Sequence, residues 1–256
     1  FLFEVIITVD GTDPGEPEDL CNMLLPVGVV HRVLAQPRKG YRLATARNNG
    51  IRAAMGELII LLDFDIVTEA DFLRHHVRWH RIGESLVTFG LREFRDLSGI
   101  TVEEVANGVV DLASLPPVPS ISNRLRATDS RVRELEWIHE HPAPYNLGHG
   151  FNLGFRRVHA LQAGLFDETF NGAPNYEDIE FCFRMWSLIG CRIIHAPMCR
   201  VFHQENNIVT RKERAIGMEL NRRKLYALVP ELADYRRTFR IGEWGESMAA
   251  LPSGTE

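Results

Sequence analysis

Two pairs of neighbouring acids carry the clearest chemistry in this chain. The first is Asp63 and Asp65, set on either side of Phe64 at the end of the apolar run 58–62. In extended backbone, residues i and i+2 face the same way, so the two carboxylates are expected to converge while Phe64 turns into packing. Two carboxylates at a strand end suit a divalent cation that prefers oxygen, and a solvated strand end is the plain alternative. The second pair is Glu177 and Asp178, which open a helical pattern running to Leu188. Asp178 is a candidate general base there, although the helix macrodipole alone favours acids in a first turn. Asp10 precedes Gly11 in a sharp turn and is placed to accept hydrogen bonds from a ligand, or simply to form an Asp-Gly turn. Arg47 and Asn48 lie together in a helical stretch. Arg47 can hold a phosphate, stack on a base or pair with a surface acid. His203 follows an apolar run and reads as a satisfied structural residue or a ligand. His76 and His80 have the spacing of a zinc pair, with no third ligand or Glu base placed as in a zinc protease.

These residues need elements to position them. The pattern predicts a strand over 1–9, a short helix over 18–25, a strand over 29–35 and a helix over 43–55. The run before Asp63 reads as a strand buried on both faces in the middle of an α/β sheet. An amphipathic helix is expected over 68–80 with Thr68 as its N-cap, then a strand over 85–90. Periodicity weakens between Asp96 and Pro144, which reads as an excursion over the binding face that carries acceptor contacts. The stretch from Gly148 to Gly154 lacks the preceding strand and spacing of a dinucleotide fingerprint. Its glycines are expected to let backbone pass close to a ligand. Helices over 155–164, 176–188 and 211–228 and a strand over 191–195 complete the pattern, with a loosely held tail beyond Tyr235.

Composition sets the outer bounds. With 256 residues, 45% of them hydrophobic, the chain can bury a sizeable core as one large domain or two small ones. A net charge of -5 with scattered basic residues gives no footprint for nucleic acid. No apolar run approaches the roughly twenty residues of a membrane span, and no signal-peptide pattern opens the sequence. A soluble, cytoplasmic protein is expected. Cys21, Cys182, Cys191 and Cys199 form no CxxC pair and read as reduced, mostly buried thiols.

In their order along the chain, these parts resemble the GT-A glycosyltransferases of family 2. The resemblance sharpens at Gly40-Tyr-Arg-Leu-Ala-Thr-Ala-Arg-Asn48, Leu62-Asp-Phe-Asp65, Gly90-Leu-Arg-Glu-Phe94, Gly164-Leu-Phe-Asp-Glu168, Glu177-Asp178 and Phe202-His-Gln-Glu205. These blocks are most similar to the transferase domains of bacterial chondroitin polymerase. The resemblance implies an α/β GT-A fold, a mixed sheet flanked by helices, in one domain over 1–235, with a nucleotide half to about residue 95 and an acceptor half beyond. It implies an inverting transfer from a UDP-sugar donor to the hydroxyl of a carbohydrate or small-molecule acceptor. By the same resemblance, Asp10, Arg47, Asn48, Asp63, Gly150 and Asn152 fall among the nucleotide-sugar contacts. Asp65 and His203 fall at the positions that hold Mn²⁺ or Mg²⁺, Asp178 at the catalytic base, and Glu177 beside it to orient an acceptor hydroxyl. Two loops depart from the family pattern, with Pro174-Asn175-Tyr176 in place of Trp-Gly-Gly and Gly150-Phe151-Asn152 in place of Gly-Gly-Asn. Phe151 is expected to narrow the space beside the donor. The resemblance also implies a further strand ahead of Phe1, so an N-terminal segment is expected to be missing. A nucleotidyltransferase and a catalytically inactive nucleotide-sugar-binding protein are the alternative readings.

Overall fold

A computed structural model describes residues 2–11, 15–118, 129–135, 137–203 and 211–239. Strands β1 (Glu4–Asp10) and β2 (Val30–Gln36) are parallel and joined across helix α1 (Gly15–Leu24). Helix α2 (Leu43–Ala53) packs on β1 and buries Ala44, Ala46 and Ile51. Strand β3 (Leu58–Leu62) leads through the acidic pair into β4 (Ile66–Thr68), then helix α3 (Phe72–Ile82). Next come β5 (Leu86–Phe89), β6 (Arg92–Phe94), and the short helices α4 (Val102–Ala106) and α5 (Val132–Leu135). Strand β7 (Asn152–Arg156) runs into α6 (Arg157–Gln162). The chain continues as α7 (Glu177–Ser187), β8 (Arg192–His195), β9 (Val201–His203), α8 (Arg211–Leu228) and α9 (Pro230–Phe239).

The strands form three sheets. The central one has the order β3-β7-β5-β8, with β7 antiparallel to both its neighbours and β5 parallel to β8. A smaller sheet, β4-β9-β6, is made entirely of chain that has just left the central one. Thus β3 continues into β4, β5 into β6 and β8 into β9. The β1-β2 pair forms the third. The main core lies between the central sheet and α7. There Phe155 packs edge-on against Phe181 at 5.1 Å, and Phe166 stacks on Phe181 at 4.2 Å. A second cluster of Phe72, Phe151, Ala196, Cys199 and Val201 fills the space beneath the small sheet. All four cysteines are free and buried.

Several expectations are corrected. Thr68 does not cap a helix, because its backbone pairs with Val201 and ends β4, and α3 begins four residues later behind Asp71. Residues 152–156 are strand, so the helix expected from Phe155 starts at Arg157. Strand β3 is half-buried rather than enclosed, because it lies at the end of its sheet and pairs only with β7 among the described residues. Phe64 is fully exposed rather than turned into packing. The expected polar cluster at Gln204-Glu205, part of the turn after Gly11 and the tail beyond 239 lie outside the described residues. Among the described residues, no helix is long and apolar enough to cross a membrane.

Candidate active site

Arg47 is the hub of the site. It projects from α2 with only 7% of its side chain exposed and meets Glu177 Oε1 at 2.7 Å and Asp63 Oδ1 at 3.4 Å. Its guanidinium also lies 5.4 Å from the Phe166 ring centroid. Burial disfavours the charge, but Glu177, then Asp63 and Asp178, outweigh it and hold the Arg47 pKa above its ordinary range. Glu177 feels the converse: burial, then the neighbouring Asp178, pushes its pKa up, and Arg47 works against that shift. One cation is thus shared by three acids drawn from the end of β3 and the start of α7. A Cβ at Gly150 would lie 2.4 Å from the Arg47 guanidinium, so a side chain there would displace it.

Asp178 is fixed through both carboxylate oxygens. Oδ2 accepts from the Gly150 N–H at 2.9 Å and Oδ1 from the Ile179 N–H at 2.9 Å. A carboxylate offers about four acceptor sites, so this arrangement orients the group and leaves room for an incoming hydroxyl. On the other side of Phe64, Asp65 Oδ2 lies 3.5 Å from His203 Nε2. The antiparallel register sets this approach, with Ile66 opposite His203. A separation of 3.5 Å is compatible with both atoms touching one divalent cation at about 2.1 Å each, so the donor set fits such an ion. Two protein donors leave most of an octahedral shell to other oxygens. Among the described residues, no group of three or more potential metal ligands assembles.

The acidic pair therefore does not converge on one spot. Asp63 joins Arg47, whereas Asp65 joins His203. Asp10 accepts from Gln36 Nε2 at 2.8 Å and from the Arg42 N–H at 2.7 Å, which ties the ends of β1 and β2 to the start of α2. Asn48 is internal, bonded to both backbone groups of Phe166 and to Glu168. Asn152 is fully buried and bonded to the Cys199 carbonyl and to His76. Neither amide is presented as a ligand contact. His76 and His80 share Thr88 Oγ1, at 2.9 and 3.1 Å, and are not a zinc pair. The Phe151 ring is turned into the protein. It is buried, with the Arg92 and Arg131 guanidiniums 4.7 and 4.9 Å from its centroid.

Sequence reasoning passed over three features. Tyr41 is partly exposed but lies within electrostatic reach of Glu177, Arg47, Asp63 and Asp178, and loss of solvent around its hydroxyl raises its pKa. His149 lies within reach of Arg131, Asp178, Asp129 and Arg92, and burial lowers its pKa. Its setting between Gly148 and Gly150 was the available signal. Arg131 forms a buried pair with Asp129, donates to the Leu147 and Gly90 carbonyls, and so fastens the unreadable excursion to the end of β5. An ion pair between residues two apart leaves no periodic trace.

Comparison with known proteins shows what this chain is similar to. Residues 1–104 match the family described as Glycosyl transferase family 2. The chondroitin synthase of Pasteurella multocida is 27% identical over 222 residues, covering 80% of this chain and 22% of that protein. The chondroitin synthase of Escherichia coli is 24% identical over 256 residues, covering 93% of this chain and 35% of that protein. This chain is similar to family 2 glycosyltransferases, through residues 1–104 and through these relatives. It spans about a fifth to a third of the length of these relatives. Solved structures agree on the architecture. S. aureus TarS 1-349 in complex with UDP-GlcNAc has a TM-score of 0.53 at 13% identity, covering 86% of this chain and 56% of that one. GalNAc-T7 with UDP, GalNAc and Mn²⁺ has a TM-score of 0.50 at 15% identity, covering 93% of this chain and 48% of that one. The chain therefore has the GT-A α/β fold, with its mixed sheet flanked by helices.

Proposed function

We propose that this domain is an inverting, divalent-metal-dependent glycosyltransferase that moves a sugar from a UDP-sugar to an acceptor hydroxyl. The observation that carries the reading is Asp178, held by the Gly150 and Ile179 N–H groups and linked through Glu177 and Arg47 to the acidic end of β3. In this reading Asp178 takes the proton from the acceptor hydroxyl as its oxygen attacks the anomeric carbon. The bond from that carbon to the diphosphate breaks on the opposite face, and UDP departs with the electron pair. A positioned base of this kind typically contributes 10²–10⁴-fold. Asp65 and His203 would hold the cation, Mn²⁺ or Mg²⁺, which when bound neutralises charge on the departing diphosphate. Asp63 and Tyr41 face the same cluster and would contact the donor. The named ligands of the similar structures, UDP-GlcNAc in one and UDP with Mn²⁺ in the other, support this choice of donor and metal.

Calorimetric titration of UDP with Mn²⁺ and with chelator, on wild type and Asp65→Ala, tests the nucleotide site. Binding that requires both the metal and Asp65 is expected; binding indifferent to both would defeat the metal assignment. Product analysis separates the classes. A glycosyltransferase forms UDP, a nucleotidyltransferase forms pyrophosphate and a binding protein forms neither. Asp178→Asn is expected to lower UDP formation by about 10²–10⁴-fold with UDP affinity retained.

A further inference from the structure

We infer that Asn221, on α8, is a positioning residue for the proposed base Asp178; this rests on the transferase reading above. The chain enters α7 through a turn with an unusual backbone. Asn175 and Tyr176 have φ of +74° and +79°, consecutive left-handed positions filled by residues with side chains. Only glycine adopts that region freely. Tyr176 is also the N-cap of α7 and provides no side-chain capping bond. The direction in which Glu177 and Asp178 leave the turn thus depends on a conformation that the local sequence does not favour.

Asn221 supplies what holds it. Its side chain is buried, and Nδ2 approaches the Phe170, Ala173 and Asn175 carbonyls at 3.1, 3.0 and 3.1 Å. One amide with two N–H donors thereby gathers three carbonyls of the loop ahead of the base. The same face of α8 reinforces the grip. Gly217 lies so close that an added Cβ would come 2.5 Å from Ala173 Cβ, and Lys224 Nζ donates to the Thr169 carbonyl at 2.5 Å. From α9, the Arg236 guanidinium stands 5.6 Å from the Tyr176 ring centroid. Backbone strain at a functional turn persists only where the surroundings over-determine it, and here α8 and α9 do so. The chain uses a clamp where glycines would take the same turn without help.

The test uses Asn221→Asp, which keeps the shape and removes every N–H donor. The readouts are UDP affinity by calorimetry with Mn²⁺ and UDP release from UDP-N-acetylglucosamine, UDP-glucose and UDP-glucuronate, with water as acceptor. Asn221→Asp is expected to lower kcat by about tenfold or more while UDP affinity stays within about twofold. Adding Asn175→Gly is expected to recover part of the loss, because glycine holds the positive φ unaided. Should Asn221→Asp fail to fold by circular dichroism, Asn221→Ser, which keeps one hydroxyl donor, carries the same test with an intermediate loss. Wild-type kcat in the aspartate variant, or in the serine variant where that one carries the test, overturns the inference. So does a parallel fall in UDP affinity, or no recovery with Asn175→Gly. A wild type that neither binds UDP nor releases it overturns the transferase reading and this inference together; an active wild type with an unaffected variant overturns this inference alone.

Discussion

Two polar clusters, one wholly buried and one partly open to solvent at Asp63, are built on opposite plans. In the first, a directed chain runs from His80 Nε2–H to Thr88 Oγ1, from the Thr88 hydroxyl to His76 Nδ1, and from His76 Nε2–H to Asn152 Oδ1. It ends with Asn152 Nδ2 donating to the Cys199 carbonyl. This assignment of the ring protons follows from the partners available. Every member is neutral, and the chain ends on backbone, with the buried His80 Nδ1 left without a hydrogen-bond partner among the described residues. In the second, Arg47 faces Glu177, Asp63 and Asp178, so acids outnumber cations, and the buried Glu177 Oε2 has no hydrogen-bond partner among the described residues. A neutral network rigidifies a core, whereas a charged one with an excess of acids holds capacity for a ligand or a proton. Both clusters contain residues that look catalytic in the sequence. What separates them is charge: the first is neutral throughout, whereas the second gathers an excess of acids around one cation.

The contrast is broken most severely at Arg47. Arg47→Met leaves Glu177 buried without its cation, and urea unfolding should show a loss of about 3–5 kcal/mol. Adding Glu177→Gln should restore part of it; no restoration would mean that Arg47 acts by packing rather than by charge. The neutral cluster should respond less. Thr88→Val keeps the volume but strands the two imidazoles, and about 1–3 kcal/mol of stability should be lost with UDP affinity unaltered. A change in UDP affinity would make this network part of the binding site. The smallest effect is the pH response. Burial lowers His76 and His80 from 6.5 to about 4, so the unfolded chain takes up protons first as the solution is acidified. Stability is therefore full above pH 6.5 and declines towards pH 4. Between pH 6.5 and 5.5 each histidine should account for about 1 kcal/mol. Thermal melts of His80→Gln should show a shallower decline than wild type, and an equal slope would place the titration elsewhere.

The same contrast explains what could be read from the sequence. The β3 run with its two acids and the Glu177-Asp178 helix start were legible because each couples a contiguous apolar pattern to an abrupt charge. The small sheet was not. Strands β4, β6 and β9 have three residues each, too few for a period of two to register. Strand β7 was hidden by Gly154, whose missing Cβ makes room for Thr88 and His76. Asn48 and Asn152 were read as ligand contacts because an amide's residue type does not reveal whether its partners lie inside the protein. Phe64 failed in the reverse sense: alternation placed it in packing, but β3 ends before it and no second layer receives it.

The small sheet has one more consequence. Its strands are too short to choose their own alignment, so they inherit it from β3, β5 and β8 through connectors such as Ala196–Arg200. That connector is pinned by the Ala196 N–H to the Phe89 carbonyl, and the strand after it by the Val201 N–H to the Leu91 carbonyl. Adding or deleting one residue there would invert parity, because side chains alternate faces along a strand. His203 would then point to the opposite side of the sheet from Asp65. What these connectors must preserve is chiefly their length: they act as counted spacers, tolerant of a changed letter and intolerant of a changed number.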